Sequence, residues 1–226
     1  MVPRESTPQL ILASASPRRR ELLALTPWRA QIKPAQADER PLVGEDAAGV
    51  AQRLSRVKAH SVAGQVPAGS LVLAADTVVV LNGAILGKPA DAGEARGMLK
   101  TLRGREHEVI TGITLLAAGD SWEANDACRT RVPMRDYTSA EAEAYVRSGA
   151  ALDKAGAYGI QDRGFEPVDM DRMNGCFANV MGLPLCHLVR LMRRRGIETT
   201  NDVPAACQAH THFACRLHPQ ILGTDA

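Results

Sequence analysis

The spacing of apolar residues divides the chain into short strands and amphipathic helices. Gln9 to Ala13 is a brief apolar run and predicts a strand. Ser16-Pro17 follows, a hydroxyl cap and a proline suited to the first helical position. Leu22, Leu23 and Leu25 give that helix an apolar face, which stops near Pro27. Trp28 to Lys33 predicts a second strand, and Gln36 to Glu45 reads as a polar turn. Asp46 to Ala63 has helical spacing, with Val50, Leu54 and Val57 on one side. Ser70 to Leu81 is the strongest strand signal: apolar to Ala75, interrupted by Asp76, resumed at Val78. Asn82-Gly83 is a hairpin turn that returns Ala84 to Leu86 antiparallel.

Ala92 to Leu102 predicts a helix, and Glu106 to Ala117 and Ser121 to Tyr137 predict two long strands joined through Gly119-Asp120. A helix follows over Ser139 to Ser148, capped by Thr138 or Ser139. The stretch Ala150 to Gly182 is glycine-rich, with short strands expected at Ala157 to Gln161 and Glu166 to Met173. A last helix is expected over Pro184 to Arg195, and the tail beyond Gly196 shows no clear periodicity and reads as a frayed extension. Strands and helices alternate, yet the hairpin and the paired long strands require a mixed sheet, so the fold class is α/β with helices flanking a mixed sheet. One domain is expected over residues 1–196, with 197–226 as an extension.

Composition narrows the function. The 226 residues are 45% hydrophobic and 23% charged, with only 4% aromatic, so the core rests on Leu, Val, Ile and Ala. A net charge of +2 argues against a broad nucleic-acid or membrane footprint. The run Leu10 to Ala13 is too short for a signal-peptide core or a membrane span. Cys128, Cys176, Cys186, Cys207 and Cys215 are odd in number and scattered, as expected of reduced thiols in the cytoplasm.

Four clusters carry candidate chemistry. Ser14-Ala15-Ser16-Pro17-Arg18-Arg19-Arg20 sets three arginines at a helix start, where each opposes the dipole by roughly 0.3–1 kcal/mol. Their guanidinium forks suit phosphate oxygens, so an anion is expected there. Asp76 interrupts an apolar strand: if buried it needs a cation or a metal to be tolerated, and the alternative is an edge-strand carboxylate facing water. Lys88 is held between Gly87 and Pro89, and Lys58 shares a helix face with Arg53; by spacing alone either could be an ordinary surface lysine. Gln161, in Tyr158-Gly159-Ile160-Gln161-Asp162, carries both a donor and an acceptor, though spacing alone favours a plain loop residue. Cys207, His210, His212, Cys215 and His218 in the tail are zinc-capable types without paired Cys-x-x-Cys spacing. There is no phosphate loop and no nucleophile elbow.

Together these segments resemble the Maf family of nucleotide pyrophosphatases. The matching stretches are Leu12 to Arg19, Asp38-Glu39, Arg53-Leu54 with Lys58-Ala59, Ala75 to Val79 with Leu86 to Pro89, Thr111-Gly112, Ala157 to Gln161, and Asn179 to Pro184, in the family's order. The resemblance implies an elongated mixed sheet related to the inosine triphosphate pyrophosphatases, with two lobes flanking a central cleft. It implies cleavage of a nucleoside triphosphate between its α- and β-phosphates, using a divalent metal (Mg2+ or Mn2+), and a homodimer. By the family pattern, Ser14, Arg18, Arg19, Lys58 and Lys88 grip phosphates. Glu39 and Asp76 bind metal and activate water, and Thr77 and Gln161 read the base. The arginine pair, Asp76-Thr77 and the Tyr158 to Gln161 run look like the subgroup that prefers dTTP and UTP; a 7-methyl-GTP enzyme and a nucleotide-binding regulator of septum formation are the alternatives. Cys176-Phe177-Ala178-Asn179-Val180 and Asp169-Met170-Asp171 depart from the family pattern.

Overall fold

A computed structural model describes residues 8–40, 42–199 and 201–223. Six strands form one mixed sheet: β1 (Leu10–Leu12), β2 (Ala30–Ile32), β3 (Leu71–Leu81), β4 (Ala84–Leu86), β5 (Glu106–Ala117) and β6 (Glu123–Pro133). The order is β2-β1-β3-β5-β6, with β4 hydrogen-bonded to the far end of β3. β1 is parallel to both β2 and β3, whereas β3, β5 and β6 run antiparallel to one another. β3 is therefore the seam between a parallel and an antiparallel half. The β3–β4 turn has positive φ at both Asn82 and Gly83, the geometry that this residue pair favours.

The alternation along β3 sorts its side chains between two faces. Leu71, Leu73, Ala75, Val79 and Leu81 join the main core, which includes Leu99 of α3 (Ala92–Leu102) and Leu188 of α6 (Leu185–Arg194). Val72, Ala74, Val78 and Val80 pack on the other face, against α2 (Ala47–Ala63). Asp76 belongs by parity to the α2 face, and Thr77 to the main-core face. β1 covers the edge of β3 as far as Leu73, and β4 resumes at Val79. Among the described residues, positions 74–78 have no strand neighbour on that edge, so a ligand can reach side chains from both faces there.

The expected strands over Ala157 to Gln161 and Glu166 to Met173 do not form. The first begins as a single 3-10 turn, Ala155–Ala157, with positive φ at Gly156 and Ala157, which no strand accommodates. The second is reduced to one bridge, Met134 to Val168, beside Pro167, which has no N–H to give a ladder. The tail is not frayed. It forms α7 (Val203–Thr211) and α8 (His218–Leu222), with Val203 fully buried and Arg190 and Arg193 of α6 donating to the carbonyls of Ile221 and Leu222. The readable signal was Asp202 before Pro204, a cap and a first-turn proline; Asp202 accepts from Ala205 N at 2.9 Å.

Candidate active site

The chain leaves β1 at the open edge of β3 and enters α1 (Pro17–Leu23), capped by Ser16. With seven residues, α1 contributes little dipole, so an anion placed there would depend on the arginine side chains. Arg19 is held on three sides: Nε donates to the Gly182 carbonyl at 2.8 Å, Nη1 to Ser14 Oγ at 3.2 Å, and Nη2 to Thr77 Oγ1 at 3.2 Å. Burial lowers its pKa, with Asp76 opposing the shift. Gly182 permits this contact, because its φ is 105° and a Cβ there would stand 3.2 Å from Thr77 Oγ1 and 3.4 Å from Arg19 Nε. Ser14 Oγ accepts from both Arg19 and the Ser16 amide, so its own proton has no acceptor among the described residues. Arg18 is more exposed and pairs with Asp153 at 3.1 Å.

On the α2 face, Lys58 Nζ lies 2.6 Å from Asp76 Oδ1 and 2.7 Å from Glu39 Oε1. The lysine and the aspartate are both buried, so each needs the other. Gly112, the register partner of Asp76 on β5, makes the approach possible: a Cβ there would lie 2.3 Å from the carbonyl oxygen of Ala51. The helix thus rests on the sheet at the level of Asp76, and Lys58, two turns past Ala51 on the same side, reaches the carboxylate. Partial burial pushes Glu39 upward, but the hydrogen bond and charge of Lys58, with Lys88 and Arg19, outweigh it and hold the carboxyl below its usual value. Arg53 anchors the segment that presents Glu39, bonding Glu45 at 2.7 and 2.8 Å and the Arg40 carbonyl at 3.1 Å.

Thr77, Lys88, Arg18, Arg19 and Gln161 line one cavity on the main-core face. Lys88 is exposed and makes no ion pair among the described residues. Gln161 donates from Nε2 to Asp162 Oδ1 at 2.8 Å, and its Oε1 is buried without a partner. Ser14, Arg18, Arg19, Thr77, Lys88 and Gln161 thus gather at the cavity or its rim, and Lys58, Glu39 and Asp76 form a triad on the other face. Residue reasoning missed Lys154, which lines the cavity and pairs with Asp153 at 2.9 Å and Asp162 at 3.2 Å. Its burial is a signal that its sequence context does not carry.

A larger cavity, about 1390 Å3, lies next to the first, between residues 160–177 and the tail helices. Size does not mark the site here; converging charge does. Among the described residues no three His, Cys, Asp or Glu side chains converge as a metal cluster, so the cysteines and histidines of the tail do not form one. No helix there is long and apolar enough to cross a membrane.

Comparison with known proteins places the chain in a family. The chain is 50% identical over 188 residues to a dTTP/UTP pyrophosphatase of Myxococcus xanthus, covering 83% of this chain and 93% of that one. It is 46% identical over 189 residues to a dTTP/UTP pyrophosphatase of Dehalococcoides mccartyi, covering 84% and 83%. A third dTTP/UTP pyrophosphatase, from Anaeromyxobacter dehalogenans, is 45% identical over 199 residues, covering 87% and 99%. Residues 9–195 match the family model for Maf-like proteins, a span that holds every residue of the site, and the chain belongs to the Maf family.

Proposed function

We propose that the protein is a nucleoside triphosphate pyrophosphatase that hydrolyses dTTP and UTP to the monophosphate and pyrophosphate. The observation that carries this reading is the shared ammonium of Lys58, 2.6 Å from Asp76 and 2.7 Å from Glu39, opposite a cavity ringed by Arg18, Arg19 and Lys88. The relatives' substrates supply the base preference.

A triphosphate brings several negative charges, and Arg18, Arg19, Lys88 and the free proton of Ser14 are placed to receive them. Asp76 accepts a proton from the water that attacks the α-phosphorus. Lys58 occupies only one oxygen of Asp76, so Oδ2 remains open to that water among the described residues. Lys58 and Lys88 offset the charge that gathers on departing pyrophosphate. Thr77 and Gln161 face the base.

The donor set fits a divalent cation. Two carboxylates already converge on one positive charge, and Glu39 Oε2 and Asp76 Oδ2 have no hydrogen-bond partner among the described residues. Two protein oxygens completed by water and phosphate suit Mg2+ or Mn2+. When bound, such an ion would polarise the phosphate and lower the pKa of a water. We read the protein as a cytoplasmic enzyme that clears nucleotide pools, and as a homodimer.

Incubation with a panel of triphosphates and Mg2+ or Mn2+ tests the reading. Pyrophosphate from dTTP and UTP is expected. Orthophosphate alone, or no turnover, would sink it. A large preference for 7-methyl-GTP would move the protein to the other subgroup.

A further inference from the structure

The side chains that face the base are each held from behind by a residue outside the family's phosphate and metal set. Thr111 of β5 is fully buried and lies directly across from Thr77. Its hydroxyl is 3.1 Å from the Asn179 carbonyl, which can only accept, and 2.9 Å from Thr77 Oγ1. Each hydroxyl has one proton. Every bond is made at once in a single arrangement: Thr111 donates to Asn179, and Thr77 donates to Thr111. Arg19 Nη2, a pure donor, points at Thr77 from the other side. Thr77 has then spent its proton and offers the cavity a lone pair.

Gln161 is fixed in a similar way. Asp162 draws in the amide nitrogen at 2.8 Å, which leaves Oε1 as the free end. Asp162 cannot turn, because Tyr145 donates to its Oδ2 at 2.5 Å and Lys154 lies 3.2 Å from the same atom. Burial and the hydrogen bond to Asp162 raise the Tyr145 pKa, so the phenol keeps the proton it donates. Backbone fit is equally tight: a Cβ on Gly159 would stand 2.7 Å from the Asp162 carboxylate. Gln161 Oε1 is buried without a hydrogen-bond partner among the described residues.

We propose that the base-reading end of the cavity is an acceptor site, with Thr111 and Asp162 as the positioning residues that set its polarity, so that it takes a base carrying an N–H donor on its edge. In uracil and thymine that donor is N3–H. The proposal rests on the pyrimidine triphosphate reading above and deepens it.

The test compares kcat/KM for UTP and for N3-methyl-UTP, which keeps both base oxygens and loses the N–H. Wild-type protein is expected to prefer UTP by about ten- to a hundredfold, the weight of a buried acceptor left unmatched. In Thr111→Val, Thr77 regains a proton to give to a base oxygen; in Asp162→Asn, the Gln161 amide is free to turn. Either change should cut the preference at least about threefold, and Thr111→Ser should restore it. Circular dichroism confirms folding, and the two variants test the two halves of the site independently. Equal use of the two nucleotides by wild-type protein overturns the inference and leaves the pyrophosphatase reading standing. A preference unchanged in both variants shows a steric effect of the methyl group and also overturns it. No pyrophosphate from UTP or dTTP overturns both.

Discussion

The two faces of β3 hold the site by different physics. At Asp76, on the α2 face, two carboxylates compete for one ammonium. At Thr77, on the main-core face, Arg19 is seated by three directed hydrogen bonds, one of them to Thr77, and Thr77 makes one more to Thr111. An ion cluster tolerates exchange of its partners, since a cation arriving with a phosphate can take over part of the role of Lys58. A directed hydrogen-bond chain does not tolerate exchange, since each donor has one acceptor. On the proposed reading, the α2 face is the one that changes during turnover, and the other face stays fixed and discriminates.

The largest expected effect breaks the first face. Asp76→Asn should lower pyrophosphate release from dTTP by about 10³-fold, the scale of a lost general base, while nucleotide binding partly survives. Calorimetric titration beside a turnover assay separates the two. Next comes the contact that sets the triad. Gly112→Ala forces a Cβ to 2.3 Å from the Ala51 carbonyl and should cost about 3 kcal/mol of stability, read by denaturant unfolding.

The opposite face supplies a pH signature. His107 is buried behind the cavity, bonded to Tyr158 at 2.7 Å, and burial lowers its pKa from 6.5 to about 4. The unfolded chain takes up a proton on this residue as pH falls below 6.5, whereas the folded protein does so only near 4. Stability is thus full above that window, declines as pH falls through it, and levels off below. The loss should reach about 3 kcal/mol, and His107→Phe should flatten the slope in unfolding experiments run across the window.

Gly182→Ala disturbs the seat of Arg19 directly. We expect about a tenfold rise in KM with a smaller change in kcat, because the strained φ and the crowded Cβ shift a binding group, not the base. The smallest effect sharpens the contrast from outside. His210 and Glu21 form an exposed pair at 2.9 Å between the tail and α1, and His210→Ala should change stability by less than about 0.5 kcal/mol in thermal unfolding.

Much of this was legible in the chain. A nearly continuous apolar run located β3, Asn82-Gly83 located the hairpin, and Asp76 stood out because a charge inside a buried strand demands a partner. The partner itself was not legible: Lys58 meets Asp76 only because Gly112 lets α2 settle onto the sheet. Polarity was also hidden. Thr111 and Asp162 look like ordinary residues until register sets one opposite Thr77 and the turn sets the other beside Gln161. The segment 157–173 misled because positive φ at Gly156 and Ala157 breaks the first expected strand and Pro167 denies the second a ladder bond.

The seam in the sheet also bears on synthesis of the protein. β1 is made first, yet its partner β3 begins about sixty residues later, and the carbonyl that seats Arg19 follows by 163 residues. At roughly 5–20 residues per second, the ribosome supplies that carbonyl on the order of ten to thirty seconds after the arginine. A nascent or prematurely terminated chain therefore carries the basic N-terminal segment without the means to position it. Cellular nucleotides meet a competent catalyst only once translation has passed Gly182.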